Sequence, residues 1–383
     1  MTKPAPLEGL RVVELARILA GPWLGQALAD LGADVVKVEA PAGDDTRGWG
    51  PPFVDHAGDR SAAYFHATNR GKRSVVADFR TEAGQETVRG LVAEADILVE
   101  NFKVGGLARY GLDYPSLSAL NPGLIYCSIT GFGQDGPYAS RAGYDFLIQG
   151  MSGLMSVTGE PDTPPQKVGV AVTDIVTGLY GAVGVLAALE QRRRTGRGQH
   201  LDLALMDCAV ALMANQAMNY LATGTAPQRR GNAHPNIVPY QAVPCADGWV
   251  ILAVGNDGQF ARLCGVLGTA WHADPAFATN AARVEHRDAL TPLIEAETRG
   301  WTTADLLAAL EAATVPAGPI NDLAAVFADP QVQARGLAIS PEGVPGVRGP
   351  WRFSGADLRL DQASPALPGT EGTARSPTAD RAG

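Results

Sequence analysis

The first forty residues alternate apolar and amphipathic segments in an order that constrains the fold. Residues 11–15 predict a strand, residues 22–31 predict a helix that ends at Gly32, and residues 34–39 predict a second strand. Apolar runs at 96–99 and 124–129, with a helix-like segment at 82–93, continue the alternation. Strands that alternate with helices form parallel sheets covered on both faces. We therefore predict an α/β fold with a Rossmann-like large domain.

A second, smaller α/β domain is predicted where a long apolar helix gives way to a polar stretch near residue 223. It contains a strand-like run at 249–254 and helical segments at 259–267, 287–299 and 303–313. The predicted organisation is a first part of the large domain at 1–205, a connecting helix at 206–225, the inserted small domain at 226–320, a return to the large domain at 321–363, and a tail at 364–383. The composition of that tail predicts disorder.

Composition excludes several functional classes. The chain has 383 residues and is 46% hydrophobic, enough for two domains. A net charge of −9 argues against nucleic acid or an anionic membrane as a partner. The N-terminus lacks the apolar segment of a secretory signal, and no run of about 18 uncharged apolar residues is present, so we expect a cytoplasmic protein. The four cysteines and six histidines lack metal-ligand spacing, so we expect reduced thiols and no metal site.

A glycine motif at Gly131, Gly133 and Gly136 superficially suggests a dinucleotide-binding fold. A nucleotide fingerprint must open a helix, whereas here Pro137 and a loop follow, so a dehydrogenase is disfavoured. The chain also lacks a P-loop lysine motif and a GxSxG elbow, which disfavours phosphoryl transfer and serine hydrolysis.

Asp174 lies in the stretch GVAVTDIVTGLYGA, immediately before a helix-like apolar pattern. An aspartate at this place is a common helix N-cap, and the stretch alone favours that role. The partial positive charge of a helix N-terminus would also keep the carboxylate ionised, as a nucleophile requires. Capping and catalysis are therefore compatible at Asp174.

Several segments between residues 6 and 355 resemble, in order, the class III CoA-transferases: VVELARILAGPWLGQALADLGADVVKVEAP, NRGKRSVVADFR, ENFKVGGLARYGL, NPGLIYCSITGFGQDGP, GYDFLIQG and the stretch around Asp174. The resemblance implies that Asp174 is the nucleophile that carries the acyl group. It further implies an interlocked homodimer, acyl-CoA and a small carboxylic acid as partners, and no tightly bound cofactor, since coenzyme A enters as part of the substrate.

Carried over residue by residue, the resemblance implies contacts to CoA from Leu19, Ala20, Ala77, Arg80, Asn101, Phe102, Arg109 and Tyr144. Arg80 and Arg109 are the candidates for the phosphates, because guanidinium groups bind phosphate well. The alternative for both is an ordinary solvated surface arginine. Two positions depart from formyl-CoA transferase. Leu19 replaces a glutamine, so backbone N–H groups must stabilise the oxyanion; Ala40 replaces an arginine, so one contact near the nucleotide is lost.

The stretch RRGNAHPNIVPYQ resembles the loop that closes over the substrate in the dicarboxylate-using branch of the family. Its candidate substrate residues are Arg229, Arg230, Gly231 and His234. Cationic and imidazole groups would meet a distal carboxylate, which makes succinyl-CoA the leading donor. The alternative for His234 is a turn histidine bonded to local backbone, since Pro235 independently favours a loop.

The sequence thus predicts an acyl-CoA:carboxylate CoA-transferase that works through an aspartyl–acyl anhydride and an aspartyl–CoA thioester. One alternative is α-methylacyl-CoA racemase, which resembles this chain but has histidine where Tyr144 lies. Tyrosine, with a pKa near 10, is poorly matched to abstracting an α-proton. A second alternative, from another class, is a non-catalytic CoA-binding protein, which would keep the arginines without needing Asp174.

Overall fold

The computed structural model describes residues 3–369, which form two compact units. The large unit comprises residues 3–154, 167–222 and 330–369, and the small unit comprises Met155–Gln166 and Thr223–Asp329. The domain predicted from the sequence runs from 226 to 320 and does not include 155–166. Backbone contacts explain the difference, because Gly231 N–H donates to the Gly159 carbonyl, seventy-two positions away and invisible to local patterns.

The strands within the described residues are β1 Arg11–Glu14, β2 Asp34–Glu39, β3 Phe53–His56, β4 Asp59–Ala62, β5 Lys72–Val76, β6 Ile97–Glu100, β7 Ile125–Thr130, β8 Gln199–Ala204, β9 Tyr240–Pro244, β10 Trp249–Ala253, β11 Ala317–Pro319, β12 Ala338–Ile339 and β13 Gly346–Val347. The helices are α1 Ala20–Asp30, α2 Ala63–Asn69, α3 Glu82–Ala93, α4 Tyr114–Leu120, α5 Asp145–Met151, α6 Leu154–Val157, α7 Val172–Thr195, α8 Leu205–Leu212, α9 Ala214–Thr223, α10 Asp257–Val266, α11 Asn280–Glu285, α12 Arg287–Thr298, α13 Thr303–Ala312, α14 Leu323–Ala328 and α15 Pro330–Ala334.

The large unit is built on a six-stranded parallel sheet in the order β5-β2-β1-β6-β7-β8. Alternate residues of a strand point to opposite faces, and the two cores follow that period. Val12 of β1 joins the core formed with α1 and α7, whereas Val13 joins the core formed with α3. The predicted parallel sheet with helices on both faces is confirmed.

The small unit has a three-stranded antiparallel sheet in the order β11-β10-β9. Helices α10, α12 and α13 pack on it through a separate core that includes Phe260, Leu290 and Leu306, all fully buried. The predicted helices at 259–267, 287–299 and 303–313 agree with α10, α12 and α13 within two residues.

The predicted connecting helix at 206–225 is two helices. α8 ends at Leu212 and α9 begins at Ala214, whose φ of 39° lies in the left-handed region that helical residues avoid. The apolar run continues through this break, so the hydrophobic pattern gave no sign of it.

Helix α7 is long and apolar enough to cross a membrane by length and composition alone. A core helix of a globular domain meets the same criterion. One face of α7 is buried in the large unit through Gly178, Gly181, Ala182, Val185 and Leu189. We therefore assign α7 to the core of the large unit.

The beginning of the predicted disordered tail is packed. Ser364 is buried and its hydroxyl contacts His66 Nδ1, Pro365 O accepts from Arg47, and the Leu367 N–H donates to Asp59. These partners lie about 300 positions upstream, so the Ser/Pro-rich composition concealed the contacts. Residues 370–383 of that prediction lie outside the described residues.

Candidate active site

A cavity of about 570 Å³ opens in the large unit at the carboxyl ends of the parallel strands. Loops that follow β1, β2, β5, β6 and β7 form its walls, and Asp174 of α7 also lines it. Ligand sites in open α/β sheets lie at this edge. The cavity is lined by all nine residues that the sequence analysis assigned to catalysis or CoA binding: Leu19, Ala20, Ala77, Arg80, Asn101, Phe102, Arg109, Tyr144 and Asp174.

Asp174 is the third residue of α7 and not its N-cap. The N-cap is Ala171, which offers no side-chain acceptor. The capping role predicted for Asp174 is therefore wrong, because the helix begins two residues before it. Within residues 3–369 the Asp174 carboxylate forms no ion pair and accepts no hydrogen bond, so it is free to meet a ligand.

The pKa of Asp174 is raised to about 7, first by burial and second by the negative charge of Asp145. The prediction that the helix N-terminus keeps this carboxylate ionised is wrong, because the pKa is raised and not lowered. Removal from water and a like charge outweigh the helix dipole here. The carboxylates of Asp174, Asp145 and Asp44 also act on Tyr64, whose phenol pKa is raised first by burial and then by these charges.

Asp174 lies on the face of α7 that packs against the start of α1. Gly178, one helical turn later and hence on the same face, approaches α1 so closely that a Cβ there would lie 2.8 Å from the Ala20 carbonyl oxygen. A side chain at 178 would therefore push the two helices apart. The small residue keeps Asp174 beside the chain segment that leads into α1.

That segment, residues 17–19, is held by polar side chains. Asn101 accepts from the Arg17 N–H at 2.9 Å and donates to the Arg17 carbonyl at 2.7 Å. The buried carboxylate of Asp44 accepts from the Ile18 N–H at 3.3 Å. Ile18 has a φ of 71°, an unusual conformation for a β-branched residue, which these contacts stabilise.

A buried lysine supports the same segment from inside the sheet. Lys37 Nζ donates to the Ala16 carbonyl at 2.9 Å and lies 2.9 Å from Asp44 and 3.1 Å from Glu14. Burial lowers its pKa, but the charges of Glu14, Asp44 and Glu39 raise it more, so Lys37 remains a cation. The N–H groups of Leu19 and Ala20 donate to no residue within 3–369. Both residues line the cavity.

Cationic side chains surround the cavity. Arg80 is exposed and its guanidinium forms two hydrogen bonds with Asp78, whereas the Arg109 guanidinium lies over the Tyr110 ring at 4.6 Å. Lys103 and Arg141 also line the cavity, and among the described residues Arg109, Lys103 and Arg141 have no carboxylate partner. A cavity with unpaired cations suits an anionic ligand.

The predicted substrate residues lie in the small unit. The Arg229 guanidinium donates to the carbonyls of Glu160, Pro161 and Thr163, so it holds the chain at 160–163. Gly231 has a φ of 56°, and a Cβ there would lie 2.4 Å from the Glu160 carboxylate. Within residues 3–369 the Arg230 guanidinium forms no hydrogen bond or ion pair, and it lines a cavity of about 840 Å³.

His234 bonds to local backbone. Its Nδ1 accepts from the Asn236 N–H at 3.1 Å, and its own N–H donates to the Tyr240 carbonyl. These contacts are those of a turn histidine. Arg287 approaches the same loop and donates to the His234 and Pro235 carbonyls.

Several residues at the large-unit site were not predicted from the sequence. The charge of Asp145 acts on Asp174 and on Tyr64, while Lys37 and Asp44 hold the segment before α1. Asp145 follows Tyr144 directly in the GYDFLIQG segment. A carboxylate next to a predicted CoA contact could have identified Asp145 from the sequence. Lys37 lies inside a strand pattern, where a charged residue among valines was a second signal.

Comparison with known proteins identifies the family. The model of CoA-transferase family III matches residues 7–371. A succinate–glutarate CoA-transferase of Agrobacterium fabrum is 60% identical over 371 residues, covering 94% of this chain and 93% of the relative. A succinyl-CoA:glutarate CoA-transferase of Mus musculus is 43% identical, covering 87% of this chain and 76% of the relative.

Solved structures agree with this assignment. A crystal structure of a CaiB/BaiF family protein from Brucella suis superposes with a TM-score of 0.87 at 64% identity, covering 96% of this chain and 97% of the other. Rv3272 of Mycobacterium tuberculosis superposes with a TM-score of 0.85 at 30% identity, covering 97% and 98%. The chain belongs to CoA-transferase family III and is an enzyme of that class, which acts on CoA thioesters.

Proposed function

We propose that the enzyme transfers CoA between small dicarboxylic acids, with succinyl-CoA as donor, through covalent intermediates on Asp174. The observation that carries the proposal is the Asp174 carboxylate, which has no partner among residues 3–369 and lies in a cavity that Lys103, Arg109 and Arg141 also line. The names of the Agrobacterium and mouse relatives, which mention succinate or succinyl-CoA together with glutarate, support this substrate class.

The first half of the reaction loads CoA onto the enzyme. An Asp174 oxygen attacks the thioester carbonyl carbon, the C–S bond breaks, and CoA leaves as the thiolate with the electron pair. The product is a mixed anhydride between Asp174 and the donor acid. The thiolate then attacks the aspartyl carbonyl, which releases the donor carboxylate and leaves CoA as a thioester on Asp174.

The second half reverses these steps with the acceptor. The incoming carboxylate attacks the aspartyl thioester and expels the thiolate, forming a new anhydride. The thiolate attacks the acceptor's acyl carbon, and Asp174 leaves as a carboxylate. Each step exchanges an activated acyl group for another, so no step needs an external energy source.

The backbone N–H groups of Leu19 and Ala20 are the proposed donors to the oxyanion. They lack protein acceptors within 3–369 and line the cavity with Asp174. One such donor is worth about 10²–10³ in kcat in enzymes that use an oxyanion hole. The CoA phosphates would form charge-assisted hydrogen bonds with cations that have no carboxylate partner. The candidates are Lys103, Arg109 and Arg141.

The test is to incubate the enzyme with succinyl-CoA and a panel of carboxylates, reading the masses of the products and of a hydroxylamine-trapped peptide. We expect new acyl-CoA products, glutaryl-CoA among them, and modification at Asp174. Modification of another carboxylate would contradict the mechanism. Rapid incorporation of deuterium at C2 of 2-methylacyl-CoA, with inversion, would favour the racemase.

Arg230 is the proposed contact for the distal carboxylate of the donor. Arg230→Ala is expected to lower kcat/KM for succinyl-CoA about tenfold to a hundredfold, because a charge-assisted hydrogen bond contributes about 1.5–3 kcal/mol. Acetyl-CoA lacks the second carboxylate and should be little affected. The measurement is kcat/KM for both donors, with Arg230→Lys as the charge-preserving variant.

Arg229→Ala is the matched control for Arg230. Because Arg229 holds backbone carbonyls of the chain at 160–163, its loss should affect both donors to the same degree. Equal losses in the Arg230 and His234→Ala variants would show that the whole loop is structural.

We further propose that the working form is an interlocked homodimer. Large apolar side chains are exposed on α7 and α9, among them Leu179, Val183, Met218 and Leu221, and a second copy of the chain would cover them. Two differently tagged folded pools should not form mixed dimers in native mass spectra unless first unfolded. Fast mixing, or a stable monomer at low concentration, would refute interlocking.

A further inference from the structure

The first turn of α7 is capped from another helix. Ala171 at the N-cap position has no polar side chain, yet the Thr173 N–H and hydroxyl both need acceptors. Asp145 of α5 supplies one oxygen to both: its Oδ1 accepts from the N–H at 2.9 Å and from Oγ1 at 2.7 Å. Thr173 is fully buried and precedes Asp174 directly. The cap therefore fixes the backbone that carries the nucleophile.

A buried glutamine completes this contact. Gln149, four residues after Asp145 on the same face of α5, donates to Asp145 Oδ2 at 2.7 Å and accepts from the Val168 N–H at 2.9 Å. Gln149 is fully buried. Helix α5 thus binds both the segment before α7, at Val168, and the first turn of α7, and Gln149 fixes the orientation of Asp145.

The same carboxylate places a negative charge near the nucleophile. Asp145 is the second cause of the raised pKa of Asp174, after burial, and no cation in the described part of the chain lowers that pKa. The charge of Asp174 also acts on Tyr64, whose phenol pKa is raised first by burial, so this phenol is neutral at physiological pH. Asp44 acts on Tyr64 but is engaged by Lys37.

We propose that Asp145 is a positioning residue for CoA transfer, which both fixes the turn that presents Asp174 to the cavity and acts on the nucleophile through its charge. This inference rests on the proposed function. The two roles are separable in principle, since one carboxylate could cap the helix and another charge could act on Asp174. Asp145 has both roles because Thr173, the residue that it caps, directly precedes Asp174.

Two consequences separate the roles. Positioning should control the maximal rate, since a displacement of about 1 Å can cost about 10²-fold. The charge of Asp145 should control the acidic limb, the pH at which kcat/KM falls on the acidic side, because the pH dependence of kcat/KM reports pKa values of the free enzyme. Asp174 attacks as the anion, so activity rises with pH through about 7 and levels off above it. Removing the charge of Asp145 should move this limb to lower pH.

The experiment uses the full chain with succinyl-CoA and glutarate from pH 5 to 9, with Asp145→Asn, Asp145→Ala and Thr173→Val. Asparagine keeps an oxygen for Thr173 but removes the charge. We expect it to raise the ratio of kcat/KM at pH 6 to that at pH 9 by about threefold or more. Alanine should also lower the plateau kcat by about 10–100-fold. Thr173→Val, which loses one bond and no charge, should lower kcat without moving the limb.

Binding of CoA, measured by titration, should stay near the wild-type value in all three variants, which shows that they are folded. Asp135→Asn, an exposed carboxylate outside the cavity, is the matched control and should change neither quantity. A wild-type plateau kcat in Asp145→Ala, or an unmoved limb in Asp145→Asn, would overturn the proposal. Failure of the proposed function itself would instead show as a wild-type enzyme without transfer or without modification at Asp174.

Discussion

Replacing Asp174 with alanine or asparagine is expected to lower kcat for CoA transfer by at least about 10⁴-fold, because neither side chain has the carboxylate that forms the anhydride. Binding of CoA should be nearly unchanged, since the cationic groups lie elsewhere on the cavity wall. Rates are measured with succinyl-CoA and glutarate, and affinity by titration with CoA. Transfer near the wild-type rate in either variant would remove Asp174 from the mechanism.

The same variants should be more stable than the wild type at pH 8. A carboxylate whose pKa is raised on folding to about 7 costs the folded state free energy wherever it is ionised, and that cost disappears as the pH falls below its unfolded value near 4. Asp174→Asn should therefore raise Tm at pH 8 and have a smaller effect at pH 5. Asp135→Asn, an exposed carboxylate, is expected to change Tm at neither pH.

Arg47→Met is expected to lower the free energy of unfolding by about 3–5 kcal/mol, because it leaves buried carboxylates without their cation. The Arg47 guanidinium is buried and bonds to Glu39 at 2.7 and 2.8 Å and to Asp59 at 2.8 Å. It also stacks on the Phe65 ring at 3.7 Å. Urea unfolding measures the loss.

The matched control is Arg73→Met. Arg73 forms an ion pair with Asp34 at 2.7 Å, but both side chains are about half exposed. Solvent screening limits such a pair to about 0–1 kcal/mol, so the control should unfold close to the wild type. Equal effects of the two substitutions would mean that burial does not decide the contribution of these ion pairs.

Local patterns predicted much of the fold. The helix at 82–93 and the strand at 34–39 agree with α3 and β2 to the residue, because amphipathic spacing and turn residues mark both ends. The position of Asp174 at the start of a helix was also readable, and the resemblance brought together side chains that indeed line one cavity.

Contacts between distant residues could not be predicted in this way. The cap on Thr173 comes from Asp145, twenty-eight positions earlier, and the pKa of Asp174 depends on that neighbour and on burial. A glycine usually marks a left-handed backbone conformation in a sequence, but Ile18 adopts one without being a glycine. In each case the tertiary environment, rather than the local sequence, decides the outcome.

The packing of residues 364–369 against the N-terminal part of the large unit bears on the order of folding during synthesis. Arg47 and Asp59 emerge from the ribosome some 300 residues before the segment that covers them, and the whole small unit is synthesised in between. Arg47 and Asp59 in the nascent large unit therefore remain uncovered until residues 364–369 have been synthesised. A ribosome-bound chain that ends at residue 330 should remain open to protease around Arg47, and addition of the last segment should protect it.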